Sequence, residues 1–231
     1  MESNFVDVWH GGLLQPYDDI DSLSALLSEQ ERMKATAFKN DDMRRRYIAV
    51  RAKLRRIIAS YLKSDPAELQ FIVAEHGKPY LACGSVHFNL SHTANHLVIA
   101  VANFPNIGID IEKIKFRNNF DGLAARCFSV DELQAWRQLS VDEQTQAFYR
   151  LWVKKEAFVK AVGRGMALGL DQCQIGLSTG GQLSAVPQCY GDAAEWLVLE
   201  IEIESSVFSA LVTPRRGFEL RMKLLNRDTN F

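Results

Sequence analysis

The chain has 231 residues, 47% of them apolar and 24% charged, and carries a net charge of −1. That length supports one large domain or two small ones with a proper core. The composition excludes a disordered chain, and the near-neutral charge gives no overall reason to expect nucleic acid or a membrane as partner. Residues 1–12 have neither a basic nor an apolar leader region, and no apolar run approaches a membrane span. The four cysteines, Cys83, Cys127, Cys173 and Cys189, form no C-x-x-C pair. Reduced thiols and a cytoplasmic setting are therefore expected.

In chain order, "FVDVW" (5–9) reads as a strand and 21–38 as a helix, with Ser28 placed to cap ahead of Glu31. Residues 41–62 form a strong amphipathic helix, with Tyr47, Val50, Leu54, Ile57, Ile58 and Tyr61 on the helical period. A strand, a turn at Gly77 and an extended stretch after Pro79 follow. Residues 85–103 read as a hairpin: Phe88 and Leu90 face the core, Asn89 and Ser91 the other side, and His92 sits at the turn. "NIGIDIEKI" (106–114) is a strand with Ile107, Ile109 and Ile111 on one face and Gly108, Asp110 and Glu112 on the other. Two helices are expected over 121–139 and 142–163, the second stopped by Gly163. The tail from 172 alternates as strands, notably 195–204 and 207–213. Each half thus holds a helical pair and a few strands, which suggests a duplicated α+β architecture with its seam near 104–106.

Charge is uneven. Residues 31–63 carry eleven Lys/Arg against three acids, a local +8, which suits a local anionic ligand. Asp110 and Glu112, two apart on a strand, repel by about 2 kcal/mol at an effective dielectric near 20. Solvent, a proton or a cation must relieve that repulsion, and Gly108 on the same face would leave room for a ligand. In "LWVKKEAFVKAVGRG" (151–165), Trp152, Glu156 and Lys160 step by four along one stripe. This is either a surface ion pair or a partly buried carboxylate in want of a partner. A third carboxylate would suit Mg²⁺. Lys78 projects from a Gly–Lys–Pro turn, which is either simple exposure or a ligand contact. Ser91 and His92 are adjacent on a strand and point apart, so they make a poor nucleophile–base dyad and suit an anion better. Neither a Walker A nor a dinucleotide fingerprint occurs.

"HGKPY", "FNLSHT", "IGIDIEKI" and "FYRLWVKKEAFVKAVGRG", in this order and spacing, resemble the 4′-phosphopantetheinyl transferases, of the larger surfactin-synthetase-activating (Sfp) type. The match runs from about residue 28 to 170. The resemblance implies transfer of the phosphopantetheine arm of coenzyme A to a serine of an apo carrier protein (acyl or peptidyl), releasing adenosine 3′,5′-bisphosphate. It implies Mg²⁺ or Mn²⁺ on Asp110, Glu112 and Glu156. Glu156 matches the carboxylate that activates the serine, directly or through a water, and Lys160 the lysine near the transferred phosphate. The coenzyme A contacts it implies are Lys34, Arg44, Lys78, Asn89, Ser91, His92, Asp110 and Lys160, with Lys34 and His92 at the 3′-phosphate. Two positions depart from the family pattern: Glu31 stands where some members have a basic residue, and Met43 where many have Asp. The fold implied is a monomer of two similar α/β subdomains, 1–104 and 105–231, related by a pseudo-two-fold with the cleft between them. Carrier docking is expected around residues 116–127.

Two rivals come from other classes. A Mg²⁺-dependent nuclease commonly carries a lysine two residues after its Glu, where this chain has Ile114. A non-catalytic module binding coenzyme A or a carrier would not need both Glu156 and Lys160.

Overall fold

The computed structural model describes residues 3–226 apart from 116–119 and 179. In chain order its first elements are β1 (Phe5–Gly12), α1 (Ile20–Ala25), α2 (Glu29–Thr36), α3 (Asp41–Leu62), β2 (Phe71–Val73) and β3 (Pro79–Leu81). The hairpin β4 (His87–Thr93) and β5 (His96–Ala102) follows, then β6 (Gly108–Lys113), α4 (Asp121–Cys127), α5 (Val130–Arg137) and α6 (Val141–Ala161). Short strands β7 (Gln174–Ile175) and β8 (Leu183–Ala185) precede β9 (Trp196–Glu200), β10 (Val207–Pro214) and β11 (Glu219–Leu224). The α+β class is as expected.

The two places where one helix was expected and two formed have the same cause. Ser28 accepts a hydrogen bond from the Glu31 N–H while the Glu31 carboxylate accepts from the Ser28 N–H. This capping box begins α2 afresh after α1. Ser129 and Glu132 do the same between α4 and α5. By contrast α3 keeps its expected span, with Asn40 capping its start and Lys63 ending it in a left-handed conformation. Past α6, Gly163 takes φ +75, which permits the stop the sequence places there.

One sheet has the order β11-β1-β5-β4 and the other β6-β10-β9. All their pairings are antiparallel except β1 with β11, which is parallel. Strand β11 thus carries the C-terminal end of the chain back to the first sheet. It is held by the fully buried Asp7, which pairs with Arg221 and, at 2.7 Å, with Lys223. One apolar cluster packs α3 against the first sheet, and another packs α4–α6 against the second. A third lies between them and joins Val6, Val8, Val98 and Ala100 to Ile107, Ile109, Ile111 and Leu211. The three isoleucines therefore anchor β6 as their spacing predicts.

Candidate functional site

Helix α6 lies across β6, and Gly108 is where they meet. A Cβ there would stand 2.9 Å from the Ala161 Cα and would overlap the Ala157 carbonyl oxygen and Ala161 nitrogen outright. This corrects the sequence expectation. The missing side chain admits the helix backbone, not a ligand. Its consequence is that Asp110 and Glu112, next on the same face of β6, come under Glu156 and Lys160 on the half-buried stripe of α6.

The other side of this acid pair is β4. Among the described residues no backbone ladder joins β4 to β6; side chains of β4 bridge them instead. Asn89 Oδ1 accepts from the Ile109 N–H at 2.8 Å, and Ser91 Oγ donates to Asp110 Oδ1 at 2.7 Å. Thr93 Oγ1 donates to Glu112 Oε2 at 3.0 Å and accepts from the Lys113 N–H at 3.3 Å. Lys160 Nζ completes the group, donating to Asp110 Oδ1 at 2.6 Å, Ser91 Oγ at 3.0 Å and the Ile109 carbonyl at 3.3 Å.

The electrostatics show a site with an excess of negative charge. Burial, then the neighbouring Asp110, push the Glu156 carboxyl up to about 7, against the opposing pull of Lys160. Burial and Asp110 also raise Glu112, while the Thr93 hydrogen bond opposes the rise. Asp110 Oδ2 is buried with no hydrogen-bond partner, an orphaned acceptor of the sort that native proteins rarely leave without an ion or water. Among the described residues no three acidic, His or Cys side chains already converge as a metal cage. The donor set nonetheless fits a hard divalent cation: three neighbouring carboxylates, two of them with a raised pKa in which the charge of Asp110 takes part, and an unused buried oxygen on Asp110 itself.

The remaining expected residues are placed unevenly. Lys78 does not project from its turn. Its Nζ reaches back to the carbonyls of Ile107 (2.9 Å), Lys160 (2.7 Å) and Ala161 (3.2 Å), capping the end of α6. Burial brings its ammonium down to about 8. His92 belongs to β4 opposite Leu97, two residues before the turn at which it was expected. Desolvation and the charges of Lys160 and Arg46 hold its imidazole below the ordinary value, so it is neutral near pH 7 in a positive field. Lys34 is exposed over the Tyr47 ring, and Arg44 is exposed and paired with Asp41. Nothing brings either to the acid pair.

Part of the basic segment serves the interior instead of a ligand. Glu31, the departure from the family pattern, is buried and binds Arg51 and Arg55 (2.6 Å), while Lys53 pairs with Asp18 at 2.9 Å. Lys154 and Lys155 in α6 are likewise wholly buried, on Glu200 (2.8 Å) and Glu132 (2.7 Å). Sequence reasoning missed Thr93, although the period of two that paired Asn89 with Ser91 extends to it, and Arg46, which donates to the Ala94 carbonyl at the β4–β5 turn.

A cavity of about 160 Å³ opens beside Glu112, lined by Lys115, Phe120, Leu123, Phe148, Tyr149 and Trp152. Of the expected docking stretch, residues 116–119 lie outside the described residues, and Phe120 and Leu123 face this cavity. Among the described residues no helix is long and apolar enough to cross a membrane.

Residues 106–211 match a family model described as 4′-phosphopantetheinyl transferase superfamily, and residues 15–104 one described as 4′-phosphopantetheinyl transferase, N-terminal. The chain is 32% identical over 221 residues to the 4′-phosphopantetheinyl transferase HetI of Nostoc sp., covering 94% of this chain and 91% of that protein. It is 38% identical over 165 residues to a 4′-phosphopantetheinyl transferase of Bacillus subtilis, covering 71% and 72%. To the 4′-phosphopantetheinyl transferase Sfp of Bacillus subtilis strain 168 it is 34% identical over 161 residues, covering 69% and 70%.

Proposed function

Since the chain belongs to the 4′-phosphopantetheinyl transferase superfamily and is an enzyme that transfers a phosphopantetheine arm to carrier proteins, we propose that coenzyme A is its donor and that Asp110, Glu112, Glu156 and Lys160 form its reaction centre. The product is then adenosine 3′,5′-bisphosphate. The observation that carries this assignment is Asp110: one oxygen held by Ser91 and Lys160, the other buried and unpartnered. Asp110, Glu112 and Glu156 would hold Mg²⁺ or Mn²⁺. Such an ion neutralises pyrophosphate charge and polarises the phosphoryl oxygen.

The chain's own groups do the rest. Lys160 is a fixed positive charge, oriented by three acceptors, and balances charge on the phosphoryl oxygens with little reorganisation. Glu156, whose carboxyl stands near 7 before a cation binds and falls once one does, takes the proton of the incoming serine directly or through a water. His92 offers a ring N–H to an anion arriving at β4, while the Ser91 hydroxyl stays on Asp110. The exposed Lys34 and Arg44 add charge farther out. Lys78 acts from behind, by fixing the last turn of α6 against β6. The 160 Å³ cavity beside Glu112, walled by aromatic rings and Lys115, supports approach of the carrier from that side. The enzyme works as a cytoplasmic monomer, in two subdomains, 1–104 and 105–231, on acyl or peptidyl carriers.

The test follows coenzyme A itself. Incubation with Mg²⁺ and an apo carrier should release adenosine 3′,5′-bisphosphate, seen by chromatography, and EDTA should stop it. Coenzyme A that is bound but returned intact with every carrier tried would contradict the proposal.

A further inference from the structure

Thr93 closes the "FNLSHT" motif, yet the reaction as described gives it no part. Its geometry repeats that of Ser91 one step along. Asn89, Ser91 and Thr93 alternate along β4 and all point across the gap to β6. Ser91 Oγ takes one oxygen of Asp110 and Thr93 Oγ1 takes one oxygen of Glu112. Each carboxylate of the acid pair, carried by the second sheet, is thus held by one hydroxyl carried by the first. Thr93 is also fixed from the other side. It is buried, and its oxygen accepts from the Lys113 N–H, so its proton is directed to Glu112 and not free to rotate elsewhere. Ser91 differs, since its oxygen accepts from Lys160.

From this juxtaposition we propose that Thr93 is a positioning residue of the reaction centre. Its hydroxyl fixes the Glu112 carboxylate across the β4–β6 gap, so that the acid pair is set for a divalent cation before one arrives. The inference rests on the reading of Asp110 and Glu112 as cation ligands. A hydrogen bond to a ligating carboxylate fixes its orientation, and loss of such a partner typically costs about 10–100-fold in metal affinity. Because the same bond joins two sheets that share no backbone ladder among the described residues, Thr93 makes cation binding sensitive to the packing of the first sheet on the second.

The test uses the whole chain without coenzyme A and measures Mn²⁺ affinity by electron paramagnetic resonance. Thr93→Val keeps the shape and removes the hydroxyl, Thr93→Ala removes it without risk of crowding, and Thr93→Ser restores it. Val and Ala variants should bind Mn²⁺ about tenfold or more weakly, and Ser should be close to the unaltered protein. With coenzyme A and carrier present, the same variants should need more Mg²⁺ for half-maximal rate while their rate at saturating Mg²⁺ stays near normal. Circular dichroism and thermal melting identify any variant that has not folded, in which case the Ala variant decides. Asp110→Asn separates the two ideas. If it binds Mn²⁺ like the unaltered protein, the cation reading fails and this proposal falls with it. If it loses Mn²⁺ while folded Thr93→Val and Thr93→Ala keep full affinity, the cation reading stands and the role of Thr93 is refuted.

Discussion

Gly108→Ala adds one methyl group that would strike helix α6 at Ala157 and Ala161, far along the sequence. The backbone of Gly108 is not in the left-handed region, so the change carries no conformational cost of its own. The steric cost can be worked out. The new Cβ would stand 2.9 Å from the Ala161 Cα, where ordinary contact begins at 3.4 Å. Helix α6 must then retreat by about 0.5 Å for that atom alone, and by more for the Ala157 oxygen and Ala161 nitrogen, since interiors are too closely packed to absorb the overlap. Every atom it meets is backbone, so no side chain can swing aside. Overpacking of this kind costs about 1–3 kcal/mol, and a chain of this size loses about 2–4 °C in Tm per kcal/mol. The retreat also carries Glu156 and Lys160 away from Asp110 and Glu112. A misplacement of about 1 Å can cost about 10²-fold in rate, so a loss of about tenfold or more in transfer is expected. Thermal melting and the initial rate of carrier modification measure the two effects. A Gly108→Ala protein with unaltered Tm and unaltered rate would refute the packing of α6 on β6 as the frame of the site.

Glu156→Gln should lose about 10²–10⁴-fold in transfer, the range for loss of a general base, while coenzyme A affinity by calorimetry changes far less; near-normal transfer would remove Glu156 from the chemistry. Lys78→Met leaves two carbonyls at the end of α6 and that of Ile107 before β6 without their donor. It should lower stability by about 1–3 kcal/mol in urea unfolding, and an unchanged midpoint would contradict the capping role. Burial alone would raise the Glu31 carboxyl, but Arg51, Arg55 and the Ser28 N–H outweigh it and hold it below its ordinary 4.5. The stability this gives is present above pH 4.5 and is lost as pH falls through the lowered folded value. Melting of Glu31→Gln should therefore depend less on pH below 4.5 than melting of the unaltered chain, and parallel acid profiles would show that Glu31 adds nothing there.

What could be read in advance was what a residue's near neighbours decide. The span of α3 follows from its apolar period and Asn40, and the inward face of β6 from three alternating isoleucines. The break between α4 and α5 was missed because Phe128 continues the apolar pattern across it, so only the Ser129–Glu132 capping box marks a new start. Partners distant in sequence decided the rest. Nothing near Gly108 tells an opening for a ligand from a seat for α6. The four-carbon stem of Lys78 can turn out to solvent or back to a helix end, and the Gly–Lys–Pro turn does not choose. Lys154 and Lys155 look like surface until Glu200 and Glu132 are brought to them. Thr93 was readable in principle, since its parity with Ser91 is a local fact, but its value depends on Glu112 lying opposite.

The central claim is transfer of a phosphopantetheine arm to a carrier serine, with Asp110, Glu112, Glu156 and Lys160 as the reaction centre. Intact mass measurement of several apo carrier proteins after incubation with the enzyme, coenzyme A and Mg²⁺ tests it most directly. The account predicts a gain of one phosphopantetheine arm on a serine of at least one carrier, lost when Asp110→Asn replaces the enzyme. No gain on any carrier, or cleavage of added DNA in its place, would contradict it.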